Sequence, residues 1–279
     1  FSGAQRRRAI GWILAGMAGA PIVGLPLLTS IAEVTSWRFA FAVLATIAAA
    51  ASGLLVLTLP GSTSTLAGRD RFMMKGVLSA YRPLFADRRM RPLYMASLCR
   101  AMGWMTYLMY FGAFLHHSFG AGPRTIGLAL MFAGGGFFAG SFAAGNWVRD
   151  MPLRPLYGVA AIAIAPVVTI AMALPVSVVV STALLTTAAF AASASNVFLT
   201  TLLANETPVG STTTQGMNTA CVGIGCASGS AIGGALIVLG GYALLGVGLA
   251  GFMVLSAALS TRPSSMTRAD RSAIEGSRA

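Results

Sequence analysis

PGSTSTLAGRDRFMMKGVLSAYRPLFADRRMR, residues 60–91, is the one long polar break in a chain otherwise made of apolar stretches. It opens as a Pro-Gly-Ser-Thr-Ser linker. Phe72, Met73, Met74, Val77, Leu78, Tyr81, Leu84 and Phe85 then recur at helical spacing among basic residues. That pattern predicts a helix lying on a membrane surface, kinked near Pro83. Two apolar spans precede it, roughly 9–32 and 38–59. Six follow, roughly 92–116, 124–147, 153–174, 176–204, 213–238 and 241–261. Each holds the ~20 residues needed to cross a bilayer core and is apolar on all faces. The ten-residue alternation of a membrane β-barrel is absent. The expectation is an all-α membrane protein with eight transmembrane helices. It divides into residues 1–59, the basic segment 60–91, a six-helix unit 92–261 and a tail 262–279. Six helices after a central basic loop suggest half of a larger repeat architecture, and the opening Phe-Ser-Gly reads as a piece of something longer.

Charge orients the spans. Of nineteen Lys/Arg residues, sixteen fall on alternate connections. These are Arg6–Arg8, the seven cations between Arg69 and Arg91, Arg149, Arg154, Arg262, Arg268, Arg271 and Arg278. The opposite connections hold Arg38 and Arg124, and Arg100 lies inside a span. Cytoplasmic loops collect Lys and Arg, so the amino-terminal residues, the central loop and the tail are expected in the cytoplasm. Charged residues are only 9 % of the chain and hydrophobic residues 56 %, too little charge for the surface of a soluble domain. The net charge of +12 sits in short loops beside apolar spans, so anionic lipid headgroups, not nucleic acid, are the expected partner. Arg outnumbers Lys eighteen to one, which suggests a GC-rich bacterial genome and hence a bacterial inner membrane.

Few groups in the spans carry chemistry. Cys99, Cys221 and Cys226 form no CxxC and read as packing residues. His116-His117 are adjacent and point about 100° apart on a helix, which argues against a shared metal. The acids Glu33, Asp70, Asp87, Asp150, Glu206, Asp270 and Glu275 all lie at helix ends or in connections. No nucleophile–base pair, metal cluster or phosphate loop supports an enzyme, and no cofactor is expected.

Arg100 lies about 12 Å into its helix at 1.5 Å per residue. An arginine near the membrane centre costs about 2.5–3.5 kcal/mol on insertion scales, so it should face protein or water. It could serve as counter-charge for an anionic substrate, or its side chain could snorkel back to the cytoplasmic headgroups. Asn196 and Asn218 fall in the same cytoplasmic-half layer, and Trp104, Tyr107 and Tyr110 continue the Arg100 face outward. Together these six line part of a possible substrate path, while interhelical glue and packing is the plainer reading.

Small residues at every fourth position mark three spans. These are Gly16-xxx-Ala20-xxx-Gly24 with Pro21 and Pro26, Gly136-xxx-Gly140-xxx-Ala144 beside Gly135-xxx-Ala139-xxx-Ala143, and Gly225-xxx-Gly229-xxx-Gly233. Such rows let backbones approach closely. Three in eight helices point to surfaces that slide during a conformational cycle, beside the plainer reading of static packing.

In this order the motifs resemble the major facilitator superfamily. Gly16-Met-Ala-Gly-Ala20-Pro21-Ile-Val-Gly24-Leu25-Pro26 resembles the fifth-helix antiporter motif G-x-x-x-G-P-x-x-G-G, with Ala20 and Leu25 replacing two glycines. Trp37-Arg38-Phe39-Ala40-Phe41 is similar to the W-R-x-x-F that opens the sixth helix. Gly145-Asn-Trp-Val-Arg149-Asp150-Met-Pro-Leu-Arg154 resembles the G-x-x-x-D-R-x-G-R-R loop between helices eight and nine, with Asp and Arg transposed and Pro152 at the second Gly. Gln215-Gly216-Met217-Asn218 and Leu239-Gly240-Gly241-Tyr242 resemble parts of helices eleven and twelve. The resemblance implies helices five to twelve of a truncated twelve-helix major facilitator fold, monomeric when full length. Helices five, eight and eleven would then lie at the moving interface between halves. The implied function is proton-coupled efflux of small amphipathic molecules by alternating access, with the coupling acid in the missing helices. The alternative is a facilitator-type importer of sugars or organic anions.

Overall fold

The computed structural model describes residues 23–58, 87, 89–147, 152–207 and 211–261. Among them all regular structure is helical: α1 (Leu25–Val34), α2 (Trp37–Thr58), α3 (Met90–Phe119), α4 (Pro123–Trp147), α5 (Leu153–Ala173), α6 (Val178–Glu206) and α7 (Ser211–Thr261). The surface helix expected within 60–91, the tail, and Gly16, Ala20, Pro21, Arg149 and Asp150 lie outside the described residues.

The chain turns where local chemistry permits it. α3 ends on Gly120 at φ 64°, a left-handed cap that suits glycine. There the Gly120 N–H donates to the His116 carbonyl and the Ala121 N–H to that of Leu115. Pro123 then opens α4, where its missing N–H costs nothing. The Ser177 hydroxyl caps α6 by accepting from the Val180 N–H at 3.2 Å. Gly241, at φ 68°, breaks α7 into two arms, 211–239 and 242–261.

One boundary differs from expectation. α3 begins at Met90, so the last residues of the basic segment are helical and Met90 itself is buried. Pro92 in the first turn explains why a helix can start there. Pro26 stands at the start of α1, directly after residues 23–24 in π-helical geometry.

Five described helices are long and apolar enough to cross a membrane, the last of them being the broken α7. The surface they present is oily. Leu57 and Val238 are more than 80 % exposed, and Phe142 and Val179 nearly as open. On α2, where Ala40 is the only buried residue, Thr46, Ser52 and Thr58 turn their hydroxyls back onto the carbonyls of Ala42, Ala48 and Leu54. Their donors are thereby satisfied inside the helix, as a lipid-facing segment requires. α3 is not among the five, since Arg91, Ser97, Arg100 and Thr106 dilute its apolar character; it is instead heavily buried.

Packing follows two tight seams joined by α5. α3 lies along α7, α4 along α6, and α5 packs against both α6 and α7. α1 rests on α4, where Gly127 makes room for the Thr29 side chain, and α2 touches α1. The glycine rows occupy the seams. A Cβ on Gly225 would stand 2.6 Å from the Leu98 carbonyl oxygen, and one on Gly229 only 2.8 Å from the Met102 Cα. Gly233 meets Thr106 and Tyr110, while Gly136 and Gly140 face the carbonyls of Thr186 and Phe190.

The rows Gly136–Gly140 on α4 and Gly225–Gly233 on α7 make close contacts with α6 and α3 inside the same six-helix unit, while Gly135 on the neighbouring row of α4 has open space and α4 meets α1 at Gly127. Gly24 has nothing near the position a Cβ would take, so it makes no close approach among the described residues.

Candidate functional site

α3 organises the polar interior. Ser97, Arg100, Trp104 and Tyr107 follow one another by three or four residues, so they form one stripe. Arg100 is 3 % exposed, and its Nη2 donates to Asn196 Oδ1 on α6 at 2.9 Å. The snorkelling reading is thereby overturned. Membrane-depth burial leaves the guanidinium a polar partner across the bundle, and the side chain takes it.

Asn218, on α7, pairs one turn further in: it accepts the Ser97 hydroxyl at 2.6 Å. Two of the three polar residues expected in one layer, Arg100 and Asn196, therefore touch. The third is held on the same α3 stripe by a serine that the sequence reading passed over. Beside them the Ser256 hydroxyl donates to the Ala96 carbonyl at 2.6 Å and bonds Tyr157 on α5. α3, α5, α6 and α7 are thus tied by buried polar contacts at one level. Serine is common in membrane helices, so neither Ser97 nor Ser256 stood out. The usable signal was the three-residue spacing of Ser97 from Arg100.

Further along α3, Trp104 and Tyr107 are fully buried, with Trp104 Nε1 and Tyr107 Oη lacking hydrogen-bond partners. Trp104, Tyr107, Phe111 and Phe114 make a ladder with successive ring centroids between 5.5 and 6.1 Å apart. Tyr110 lies off this face. Its hydroxyl donates to the Ser230 carbonyl at 2.8 Å, a clamp between α3 and α7.

Of the loop-motif residues, Gly145 and Arg154 are described. Gly145 is exposed near the end of α4, with nothing close to it. Arg154 at the start of α5 grips Glu206 with two hydrogen bonds, Nε to Oε1 at 3.1 Å and Nη2 to Oε2 at 2.6 Å. Its Nη1 donates to the Ser260 carbonyl at 3.0 Å. The beginning of α5 and the ends of α6 and α7 therefore meet on one side of the bundle. Glu206 as partner was not foreseen, because a separation of 52 positions leaves no local signature. Among the described residues no group of three His, Cys, Asp or Glu could hold a metal ion.

This arrangement can hold a polar group in an apolar bundle and link its position to four helices, as a carrier requires. No curated protein matches the chain. The family model for the Major Facilitator Superfamily matches residues 1–215. With its apolar spanning helices and the motif order above, the chain belongs to the Major Facilitator Superfamily, a family of membrane transporters.

Proposed function

We propose that the protein is a proton-coupled efflux transporter of small amphipathic molecules, working by alternating access across a bacterial inner membrane. The observation that carries this reading is the buried polar layer Ser97–Asn218 and Arg100–Asn196, set amid apolar helices beside an aromatic ladder. Buried polar groups in membrane spans are costly, and their usual employment is along a substrate or ion route. Transporters of this architecture bind near the midplane and rock one half against the other. In the order of their motifs the spans correspond to helices five to twelve, with the basic segment 60–91 as the cytoplasmic link between halves. Protons would be exchanged through an acid outside the described residues, and the transporter would act as a monomer.

A second reading, facilitated import of sugars or organic anions, is favoured by one observation: Arg100 has a neutral partner and no adjoining carboxylate among the described residues.

The test is proton movement in inside-out vesicles holding the full-length protein, acidified by respiration and followed with a pH dye. Addition of ethidium or carboxyfluorescein, as cationic and anionic amphipaths, should release protons for at least one of them. Dye flux that continues at full rate after a protonophore collapses the gradient would reject proton antiport and leave the facilitator.

A further inference from the structure

The interior of α3 has an excess of donors. Arg100 Nε, Trp104 Nε1 and Tyr107 Oη are buried and unpartnered, at successive positions of one stripe spanning about 10 Å. A guanidinium and an indole can only donate. What the stripe lacks is therefore an acceptor, and because the guanidinium is charged, the acceptor that also neutralises it is an anion. The described residues supply none. Their three carboxylates are Glu33 near the end of α1, Asp87 before α3, and Glu206, which Arg154 holds. Asp87 is about 20 Å from Arg100 along the helix. A buried cation without a counter-charge is strongly disfavoured. A water could accept from one donor but would leave the charge uncompensated.

The partner that Arg100 does have is informative. Asn196 sits on α6, and α3 and α6 touch only lightly compared with the α3–α7 and α4–α6 seams. The contact spans a weak seam and uses a neutral carbonyl.

We propose that this donor stripe binds the anionic end of the transported molecule, a carboxylate, sulfonate or phosphate, when the α3–α6 seam admits it. Asn196 Oδ1 is the neutral acceptor that holds Arg100 in the absence of that anion. The aromatic ladder from Trp104 to Phe114 is the adjoining apolar surface for the rest of the molecule. This inference rests on the substrate-path reading above and narrows its amphipaths to anionic ones.

The test keeps the two apart. In the purified full-length protein, with every tryptophan except Trp104 replaced by Phe, Trp104 fluorescence is titrated with acrylamide, iodide and caesium. Each quenching constant is normalised to that of free tryptophan amide at equal ionic strength. Acrylamide should quench, and normalised iodide quenching should exceed that of caesium at least threefold. The excess should vanish in Arg100→Gln and survive in Arg100→Lys. In Asn196→Asp, which supplies an internal anion, it should vanish while acrylamide quenching remains. Absence of acrylamide quenching in both detergent and nanodiscs would overturn the path reading and this inference with it. Acrylamide quenching without iodide excess, or an excess that persists in Arg100→Gln and Asn196→Asp, would overturn the anion assignment alone.

Discussion

Arg154 and Arg100 are both arginines on helices, and their surroundings give them opposite roles. Arg154 is about one-fifth exposed, and all three of its donor nitrogens are engaged, two by a carboxylate and one by a carbonyl. That is structural work: a charge-assisted fork closing three helix ends. Arg154→Gln should lower the stability of the detergent-solubilised protein by about 1–2 kcal/mol, because the Ser260 carbonyl and Glu206 lose their partner while water offsets part of the loss. Arg124→Gln, on an exposed position, should stay within about 0.5 kcal/mol. Thermal unfolding of the pair measures the difference; equal midpoints would mean the Arg154 fork contributes nothing measurable. Arg100 was legible in the sequence as the cation out of place, because one charge inside an apolar span is a local signal. Its partner was not. Which of Asn196 and Asn218 it reaches depends on how α6 and α7 are rotated against α3, and that is decided by packing.

At the scale of elements, the glycine rows show the same division. That they mark close helix contacts follows from side-chain size alone. Against which helix they close does not, since any neighbour could fill the groove. The structure seats Gly225, Gly229 and Gly233 on α3, and Gly136 and Gly140 on α6. Adding a methyl at Gly229 forces the seam apart, at a cost of about 1–3 kcal/mol for overpacking, against about 1 kcal/mol gained in helix propensity. Gly229→Ala should therefore be neutral to destabilising, and Gly229→Val clearly destabilising. Gly53 on α2 has open space around it, so Gly53→Ala should raise stability by up to about 1 kcal/mol. Midpoints from heating and size-exclusion chromatography separate these cases. A Gly229→Val protein as stable as the parent would mean the seam is looser than its backbone distances indicate. Where an apolar run of bilayer length falls on described residues, as in α2, α4, α5 and α6, the helix was legible because such a run announces itself. α3 began early because Met90, though flanked by arginines, is buried against its own bundle, a tertiary effect hidden from a window of sequence.

For the whole molecule, charge and structure bear on one question, which ends share a side of the membrane. The Arg154–Glu206–Ser260 cluster brings the start of α5 and the ends of α6 and α7 together. Ser97–Asn218 brings the early turns of α3 and α7 to one level. The Gly120–Gly122 turn, the α5–α6 connection and the Gly240-Gly241 break must then lie opposite, and there Tyr242 stacks near Phe114 and His117. Of the sixteen cations on alternate connections, Arg89, Arg91 and Arg154 are among the described residues and fall with the first group; the positive-inside rule predicts that this side is cytoplasmic. With Cys99, Cys221 and Cys226 replaced, single cysteines at Gly122, Val176 and Asn205 test this directly. Val176 and Asn205 are exposed, and Gly122 is half-buried in the turn between α3 and α4, so each position is near a membrane face. A membrane-impermeant maleimide added to intact cells should label Gly122→Cys and Val176→Cys, and should reach Asn205→Cys only after permeabilisation. Labelling of Asn205→Cys in intact cells, with the other two protected, would invert the topology. It would also move the polar layer around Arg100 to the outer half of the membrane, so the direction from which an anion first meets the guanidinium is fixed by the same measurement.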